Sequence, residues 1–174
     1  DLAMNVNWGL PFADGSVAFV YAAHLLEHLR FRDQAPVFVG EVYRVLEAGG
    51  TVRFVVPDVG RLLDAYVRRD REFFAARNKF YPLSEGFVVD GVATLDYILL
   101  FCGADAQTQN YNHKFGYDEI TMCKLLRDAG FTVVARSSYQ GSAHPALRID
   151  DYGYNAAATI QEDQHLSLFV EATK

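Results

Sequence analysis

Between Leu10 and Leu29 the sequence reads LPFADGSVAFVYAAHLLEHL. A turn at Asp14-Gly15 precedes the uncharged run Val17–Ala22, which is typical of a strand buried in a parallel sheet. The polar segment His24–His28 follows at once. Because α/β proteins build ligand sites at the C-terminal ends of parallel strands, the stretch predicts a site here. A plain strand-to-helix junction is the alternative interpretation.

Composition limits the classes of protein to consider. The chain has 174 residues, of which 51% are hydrophobic and 22% charged, so we expect a single domain spanning residues 1–174. A net charge of −6 argues against a protein that neutralises nucleic-acid phosphates. Cys102 and Cys123 lack metal-binding or disulfide spacing, which favours reduced thiols in a cytoplasmic protein. We expect no membrane span, no signal peptide and no metal.

Other segments extend the pattern. Further strands are predicted at Thr51–Val56, Phe131–Arg136 and Leu166–Ala172, with a fifth at Leu2–Val6. Helical periodicity covers Ala35–Leu46, for which Gly49-Gly50 is the expected C-terminal stop. A second helix is predicted to start at Asp118, as N-cap, and to stop at Gly130, with apolar residues Ile120, Cys123, Leu126 and Ala129. Strand–helix–strand order with glycine junctions predicts an α/β sandwich.

Residues 61–112 do not follow this alternation. The segment is rich in aromatic residues and mostly helical in pattern, so it predicts a helical insertion that acts as a lid or a substrate wall. An extra helical pair with solvated arginines is the alternative. A basic cluster within it indicates that the molecule acted upon is anionic. Its members are Arg61, Arg68, Arg69, Arg71, Arg77 and Lys79.

Three stretches together resemble the class I S-adenosylmethionine-dependent methyltransferases, in particular the branch of predicted methyltransferases. They are GLPFADGSVAFVYAAHLLEHL, EVYRVLEAGGTVRFVVPDVGRLLDAY, and NHKFGYDEITMCKLLRDAGF with the later LSLFVEATK. They match the family's fourth strand, fifth strand, and C-terminal helix with the last two strands. The resemblance implies a partial Rossmann-like sandwich of strands 3 to 7, with the helical insertion after strand 5.

The chain departs from the family pattern at several points. It has no Gly-x-Gly-x-Gly cofactor loop and no acidic residue ending a second strand. Ala18 and Ala48 stand where the family has Asp and Pro. We therefore expect a domain truncated at its N-terminus. Its counterpart of the family's fourth strand, the run Val17–Ala22, would then have an unpaired edge. Such an edge predicts pairing with a second copy, as a homodimer.

The resemblance implies S-adenosylmethionine as cofactor and assigns five residues to it. Asn5 would meet the adenine amino group, and Val6 would offer its backbone amide to the ring. Ala23, His24 and Leu25 would lie along the methionine and adenosine parts. His24 is also a candidate catalytic group, as a donor or weak base, although it could simply shape the turn.

Other residues are candidates for the acceptor side. His113 is the second candidate base, unless it only docks the insertion onto the sheet. Lys114 would orient an anionic group, and Tyr66 would line the acceptor pocket. We expect structural roles for Glu27 and His28, with Glu27 paired to Arg30 or Arg44. Asp58 is expected to serve mainly as an N-cap.

Two functions of different classes remain open. The first is a methyltransferase acting on a small-molecule or sugar-type acceptor. The second is a non-catalytic Rossmann-like binding or assembly module that has lost the cofactor loop. A nicotinamide-dependent reductase is disfavoured because no Gly-x-Gly-x-x-Gly follows a strand. A nucleic-acid methyltransferase is disfavoured by the acidic charge and by the sequence AAHL after strand 4.

Overall fold

The computed structural model describes residues 3–80, 87–103, 112–150 and 167–174. Its helices are α1 (Gln34–Val45), α2 (Val59–Arg68), α3 (Arg71–Phe80), α4 (Leu95–Phe101) and α5 (Glu119–Asp128). Its strands are β1 (Val17–Ala23), β2 (Leu46–Pro57), β3 (Val88–Val89), β4 (Val92–Ala93), β5 (Val133–Arg136) and β6 (Ser167–Thr173). The four longer predicted strands and both predicted helices are confirmed, with small shifts at their ends.

The main sheet has the strand order β1-β2-β6-β5. β1 and β2 are parallel, and β6 runs antiparallel to both β2 and β5, so three of the four strands point the same way. The predicted α/β fold class is confirmed. The C-terminal ends of β1 and β2 lie side by side at one edge of the sheet, because Ala23 pairs with Val55.

The predicted strand at Leu2–Val6 is wrong for the residues that the structure describes. Val6–Trp8 form a 3-10 turn instead, with Asn5 as its N-cap. The side chain of Asn5 accepts a hydrogen bond from the backbone N–H of Asn7 at 3.0 Å. A short polar side chain that bonds its own backbone favours a turn over a strand ladder, and this accounts for the difference.

Gly49 does not cap α1 as predicted. The helix ends at Val45, and the extended backbone of β2 begins at Leu46. The β1–β2 register then shifts, since Val17 pairs with Leu46 whereas Phe19 pairs with Thr51. Gly49 takes φ +80° within this irregular stretch, and its N–H donates to the carbonyl of Lys174. The glycine therefore shapes a bulge that is hydrogen-bonded to the residue directly after β6.

One face of the sheet carries the main hydrophobic core. Alternate side chains of β2 at Val52, Phe54 and Val56 are buried there with residues of α1 and α5. Asp118 caps α5 as predicted, accepting from the N–H of Thr121 at 2.8 Å. Ile120, which was predicted on the apolar face of this helix, is exposed instead.

The opposite face holds a buried arginine. Arg53 lies in β2 with no exposed surface, and it bonds to Asp150 and to its cross-strand neighbour Glu171. Asp150 also accepts from the hydroxyl of Tyr21 at 3.3 Å. Asp150 lies in the segment after β5, so the network ties this segment to the sheet face opposite α1 and α5.

The insertion is mostly helical, as predicted. It contains α2, α3 and α4, with the β3–β4 hairpin between α3 and α4. A second hydrophobic core forms here around Phe74, Tyr97 and Ile98. Arg77 belongs to this core rather than to a solvated basic cluster. It is buried, donates to the Tyr97 hydroxyl, and lies over the Phe101 ring at 4.5 Å. Parts of the insertion and of the later loop (81–86, 104–111 and 151–166) lie outside the described residues.

Within the described parts of the chain, no helix is long and apolar enough to cross a membrane.

Candidate functional site

The backbone turns sharply where β1 ends. His24 adopts φ 50°, a left-handed conformation that is uncommon for residues other than glycine. Its N–H donates to the carbonyl of Val55 at 2.9 Å, which fixes the turn to the end of β2. A 3-10 turn at Leu26–His28 follows, anchored by the buried Leu26 side chain. Strained residues of this kind concentrate at functional sites, so the turn is the first place to look for one.

Glu27 lies at the centre of this turn and is only 1% exposed. Its Oε1 is 3.2 Å from His24 Nδ1. Its Oε2 is buried and has no hydrogen-bond partner among the described residues. The predicted pairing of Glu27 with Arg30 or Arg44 is wrong.

Both arginines have other acidic partners. Arg30 pairs with Asp33, and Arg44 pairs with Glu41 and Asp14. Glu27 points into the protein, whereas Asp33 and Asp14 are exposed. The arginines can therefore stay solvated while they form these pairs.

Residues 112–117 dock onto the turn through the backbone of Glu27. Its carbonyl accepts from the N–H groups of Lys114 at 2.6 Å and Phe115 at 3.2 Å. The Phe115 ring stacks on Phe31, with centroids 4.1 Å apart. Tyr117 forms a bridge to Asp58 just after β2. These contacts bring a distant part of the sequence to the ends of β1 and β2.

Gly103 makes this docking possible. It adopts φ +88°, and a Cβ atom there would lie 2.6 Å from the backbone of Lys114. Only glycine allows such an approach without displacing the neighbouring chain. The end of α4 and residues 112–117 are therefore in direct contact next to the site.

His113 lies beside Glu27 and His28 as a result of this docking. The rings of His113 and His28 have centroids 5.1 Å apart. One ligand atom from each of Glu27, His28 and His113 lies within 4.8 Å of the others. Burial lowers the pKa of His113, and the nearby Glu27 charge only partly opposes this, so the imidazole is neutral near neutral pH. The two histidines predicted as catalytic thus both lie next to one buried carboxylate.

The five residues predicted to bind cofactor lie on two different elements. Ala23, His24 and Leu25 are half-buried at the end of β1. Asn5 and Val6 belong to the N-terminal turn, which packs against α1. Asn5 lines a cavity of about 1060 Å³ between that turn and α1, together with Trp8 and Glu41. The Asn5 side-chain oxygen accepts from both nitrogens of Asn7 at 3.0 Å.

The predicted acceptor residues are also separated. Tyr66 packs on the second core, within the insertion. Lys114 lies directly after His113, and its backbone is bonded to Glu27. Asp58 caps α2 as predicted, accepting from the N–H of Arg61 at 2.9 Å, and it also pairs with Arg136. Lys114 is therefore the acceptor candidate nearest to the histidines.

Sequence reasoning assigned Glu27 and His28 to structural roles and so missed that they belong to the site. A signal was present in the spacing His24-x-x-Glu27-His28 directly after a buried strand. One turn of helix-like backbone after a strand places residues i, i+3 and i+4 close together. The contribution of His113 has no such local signal.

Comparisons with known proteins agree with the geometry. A family model described as "Methyltransferase domain" matches residues 3–54. No curated protein matches the chain significantly. The structure is similar to an S-adenosylmethionine-dependent methyltransferase from Mesorhizobium loti, at 15% identity and TM-score 0.51, over 98% of this chain and 67% of that one.

Two further solved structures are similar. The apo form of the S-adenosylmethionine-dependent methyltransferase SibL matches at 17% identity and TM-score 0.50, over 99% of this chain and 35% of that one. A methyltransferase from Methanosarcina mazei matches at 15% identity and TM-score 0.49, over 98% of this chain and 65% of that one. This chain thus spans between 35% and 67% of the length of the three structures. At these identities the likeness to the Mesorhizobium loti protein and to SibL, with TM-scores of 0.51 and 0.50, shows the fold alone.

Proposed function

We propose that the chain is a member of the class I S-adenosylmethionine-dependent methyltransferases and that it takes part in methyl transfer to a small-molecule acceptor. One observation carries the proposal. His24, which immediately follows β1, is held against the buried Glu27 carboxylate at the edge of the sheet where α/β enzymes bind their ligands.

The cofactor of the proposed reaction is S-adenosylmethionine. The half-buried residues Ala23, His24 and Leu25 fit its binding, because they follow the C-terminal end of β1 and line the edge of the sheet. Asn5 would join them only if its side chain gave up its bonds to Asn7. When bound, the cofactor supplies a methyl group on a positively charged sulfur, which is open to in-line attack.

His24 would act as the base of the reaction. Glu27 Oε1, 3.2 Å from His24 Nδ1, would accept a hydrogen bond from Nδ1–H and so favour the tautomer whose Nε2 is a proton acceptor. Nε2 lies on the side of the ring away from Glu27. The acceptor nucleophile would give its proton to Nε2 as the methyl group is transferred. The buried carboxylate would then stabilise the imidazolium.

The acceptor is proposed to be small and anionic. The insertion forms a compact unit of its own around Phe74 and Tyr97, which suits a wall or lid beside the site. Lys114 lies one residue from His113 and would orient an anionic group of the acceptor. The net charge of −6 disfavours nucleic acid as the acceptor. A cytoplasmic location and a homodimer formed through the β1 edge are part of the same proposal.

Calorimetric titration of the chain with S-adenosylhomocysteine, which binds the cofactor site without turnover, tests the proposal. We expect micromolar binding that is weakened at least about tenfold by His24→Ala, since the ring contributes both contact and a hydrogen bond. His144→Ala is the matched control, because His144 lies near Thr51 in the middle of β2, away from the end of the strand that His24 contacts. That variant should bind as the unmodified chain does.

A folded chain that does not bind S-adenosylhomocysteine would contradict methyl transfer by this chain. This outcome would favour the second function, a binding or assembly module. Sedimentation of the chain over a range of concentrations then measures whether it self-associates. A monomer at high concentration would exclude pairing through the β1 edge.

A further inference from the structure

We propose that Glu27, His28 and His113 form a binding site for a divalent first-row transition metal ion. The site goes beyond methyl transfer, because its existence depends on these three side chains and not on cofactor or acceptor. It is the one cluster of three or more potential metal ligands among the described residues.

The donor set fits such an ion. Two imidazole nitrogens and one carboxylate oxygen lie within 4.8 Å of one another, a separation that ligands around a single ion can have. Imidazole and carboxylate are the ligands of zinc, iron and related ions in proteins. Three protein ligands leave at least one coordination position open, as in catalytic rather than structural sites.

The unsatisfied oxygen of Glu27 is a second, independent observation. The side chain is 1% exposed, and Oε1 already faces His24 Nδ1. Oε2 is buried and has no hydrogen-bond partner in the described part of the chain. A buried carboxylate oxygen without a partner is costly, and a cation next to it removes that cost.

The surroundings also orient the ligands. A hydrogen bond between the His113 ring and the backbone of Phe101 helps to hold the ring in place. Metal-binding histidines are usually held by a hydrogen bond of this kind. The half-buried rings of His28 and His113 give an ion a route from solvent. His24, bonded to Glu27, acts here as a positioning residue for the carboxylate.

The test is metal binding by the chain after treatment with a chelator, without cofactor or acceptor. Zn²⁺ affinity is measured by competition with a coloured chelator, and Co²⁺ binding by its visible absorption. We expect one ion per chain. Glu27→Gln and His113→Ala should each weaken binding at least about tenfold, because loss of a ligand costs more than the roughly 10- to 100-fold lost when a group that only hydrogen-bonds a ligand is replaced.

Two further variants keep the test decisive. His28→Asn removes a half-buried ligand and serves if Glu27→Gln does not fold. His144→Ala removes a histidine outside the cluster and should leave affinity unchanged. Added Zn²⁺ should also raise the melting temperature of the unmodified chain but not of His28→Asn.

Equal affinity in the unmodified chain and all variants would overturn the proposal, as would the absence of binding. In that case a water molecule alone satisfies Glu27 Oε2. Failure of the metal site leaves S-adenosylhomocysteine binding unaffected, so it is distinguishable from failure of the proposed function.

Discussion

The described residues include two buried charged clusters, which differ in how completely their polar atoms are hydrogen-bonded. Arg53, on the sheet face opposite α1 and α5, uses all its N–H groups. Nε and Nη2 donate to Asp150 at 2.8 and 2.7 Å, Nη1 donates to Glu171 and Ser137 at 2.9 Å, and Nη2 also donates to the carbonyl of Ser138. Glu27 is equally buried but faces histidines, and one of its oxygens has no partner among the described residues.

This difference separates a cluster that holds the fold from one that is available for chemistry. Burial tends to lower the pKa of Arg53, but its bonds to Asp150 and Glu171 outweigh that effect and keep it charged. A fully paired ion of this kind has no capacity left for a ligand. The histidine cluster retains an unsatisfied carboxylate oxygen and a neutral imidazole, which are what a cation or a proton requires.

Breaking the paired cluster should produce the largest effect on stability. Arg53→Met leaves the carboxylate of Asp150 buried without its main partner. We expect a loss of about 3 to 5 kcal/mol in the free energy of unfolding, measured by urea denaturation. Arg30→Met, at an exposed pair with Asp33, is the control and should change little. Similar losses in both variants would mean that Arg53 does not hold the fold.

Gly103→Ala tests how the second cluster is assembled. The added Cβ would lie 2.6 Å from the backbone of Lys114, at a φ that alanine rarely adopts. We expect a loss of about 1 to 3 kcal/mol in unfolding free energy, together with weaker metal binding, because residues 112–117 must move away from Glu27.

Gly40→Ala is the matched control for this substitution. Gly40 lies in α1 with nothing within 4 Å of the added methyl group. Alanine there should stabilise the chain by about 0.5 to 1 kcal/mol. An unchanged or more stable Gly103→Ala variant would contradict the close contact between α4 and residues 112–117.

Glu27→Gln sharpens the comparison with Arg53. Without metal, the substitution weakens the contact with His24. It also replaces a partly paired buried carboxylate by a neutral amide, which costs less free energy to bury and so offsets part of that loss. We expect the unfolding free energy to change by less than about 1 kcal/mol in the presence of chelator. A loss as large as that of Arg53→Met would show that Glu27 holds the fold in the same way.

The sequence predicted the site in part. The uncharged run before HLLEH located the end of β1, and His24 and His113 were both identified as candidates. Their convergence on Glu27 could not be predicted, because it depends on the bonds from Lys114 and Phe115 to the Glu27 carbonyl. Those bonds join segments that are 87 and 88 residues apart, and no local spacing encodes them.

The paired cluster was not predicted at all. Arg53 stands within the run TVRFVV, which as a whole is typical of a buried strand, and its partners follow 97 and 118 residues later. The strand prediction was right although the arginine is buried, because the partners compensate its charge. At Asn5 the opposite happened, since a local side-chain bond overrode a predicted strand.

A third cluster, half-exposed, should show the smallest effect and a clear pH dependence. Hydrogen bonds from Arg44, and then from the Leu10 N–H, lower the pKa of Glu41 to about 2. A carboxyl group whose pKa is lower in the folded chain stabilises it above the unfolded pKa of 4.5, and that contribution is lost as the pH falls towards 2. Glu41 thereby holds the N-terminal turn to α1 near neutral pH.

Glu41→Gln should therefore lower the melting temperature by a few degrees at pH 7, and the difference from the unmodified chain should shrink between pH 4.5 and pH 3. Thermal melts of both chains across this range make the measurement, and titrating groups that contact neither Glu41 nor Arg44 cancel in the difference. A constant difference would mean that packing, not charge, joins Glu41 to Arg44. Because Glu41 is partly solvated, the loss of stability in Glu41→Gln should stay well below that in Arg53→Met. The burial of an ion pair would then determine its contribution to stability more than the number of its hydrogen bonds does.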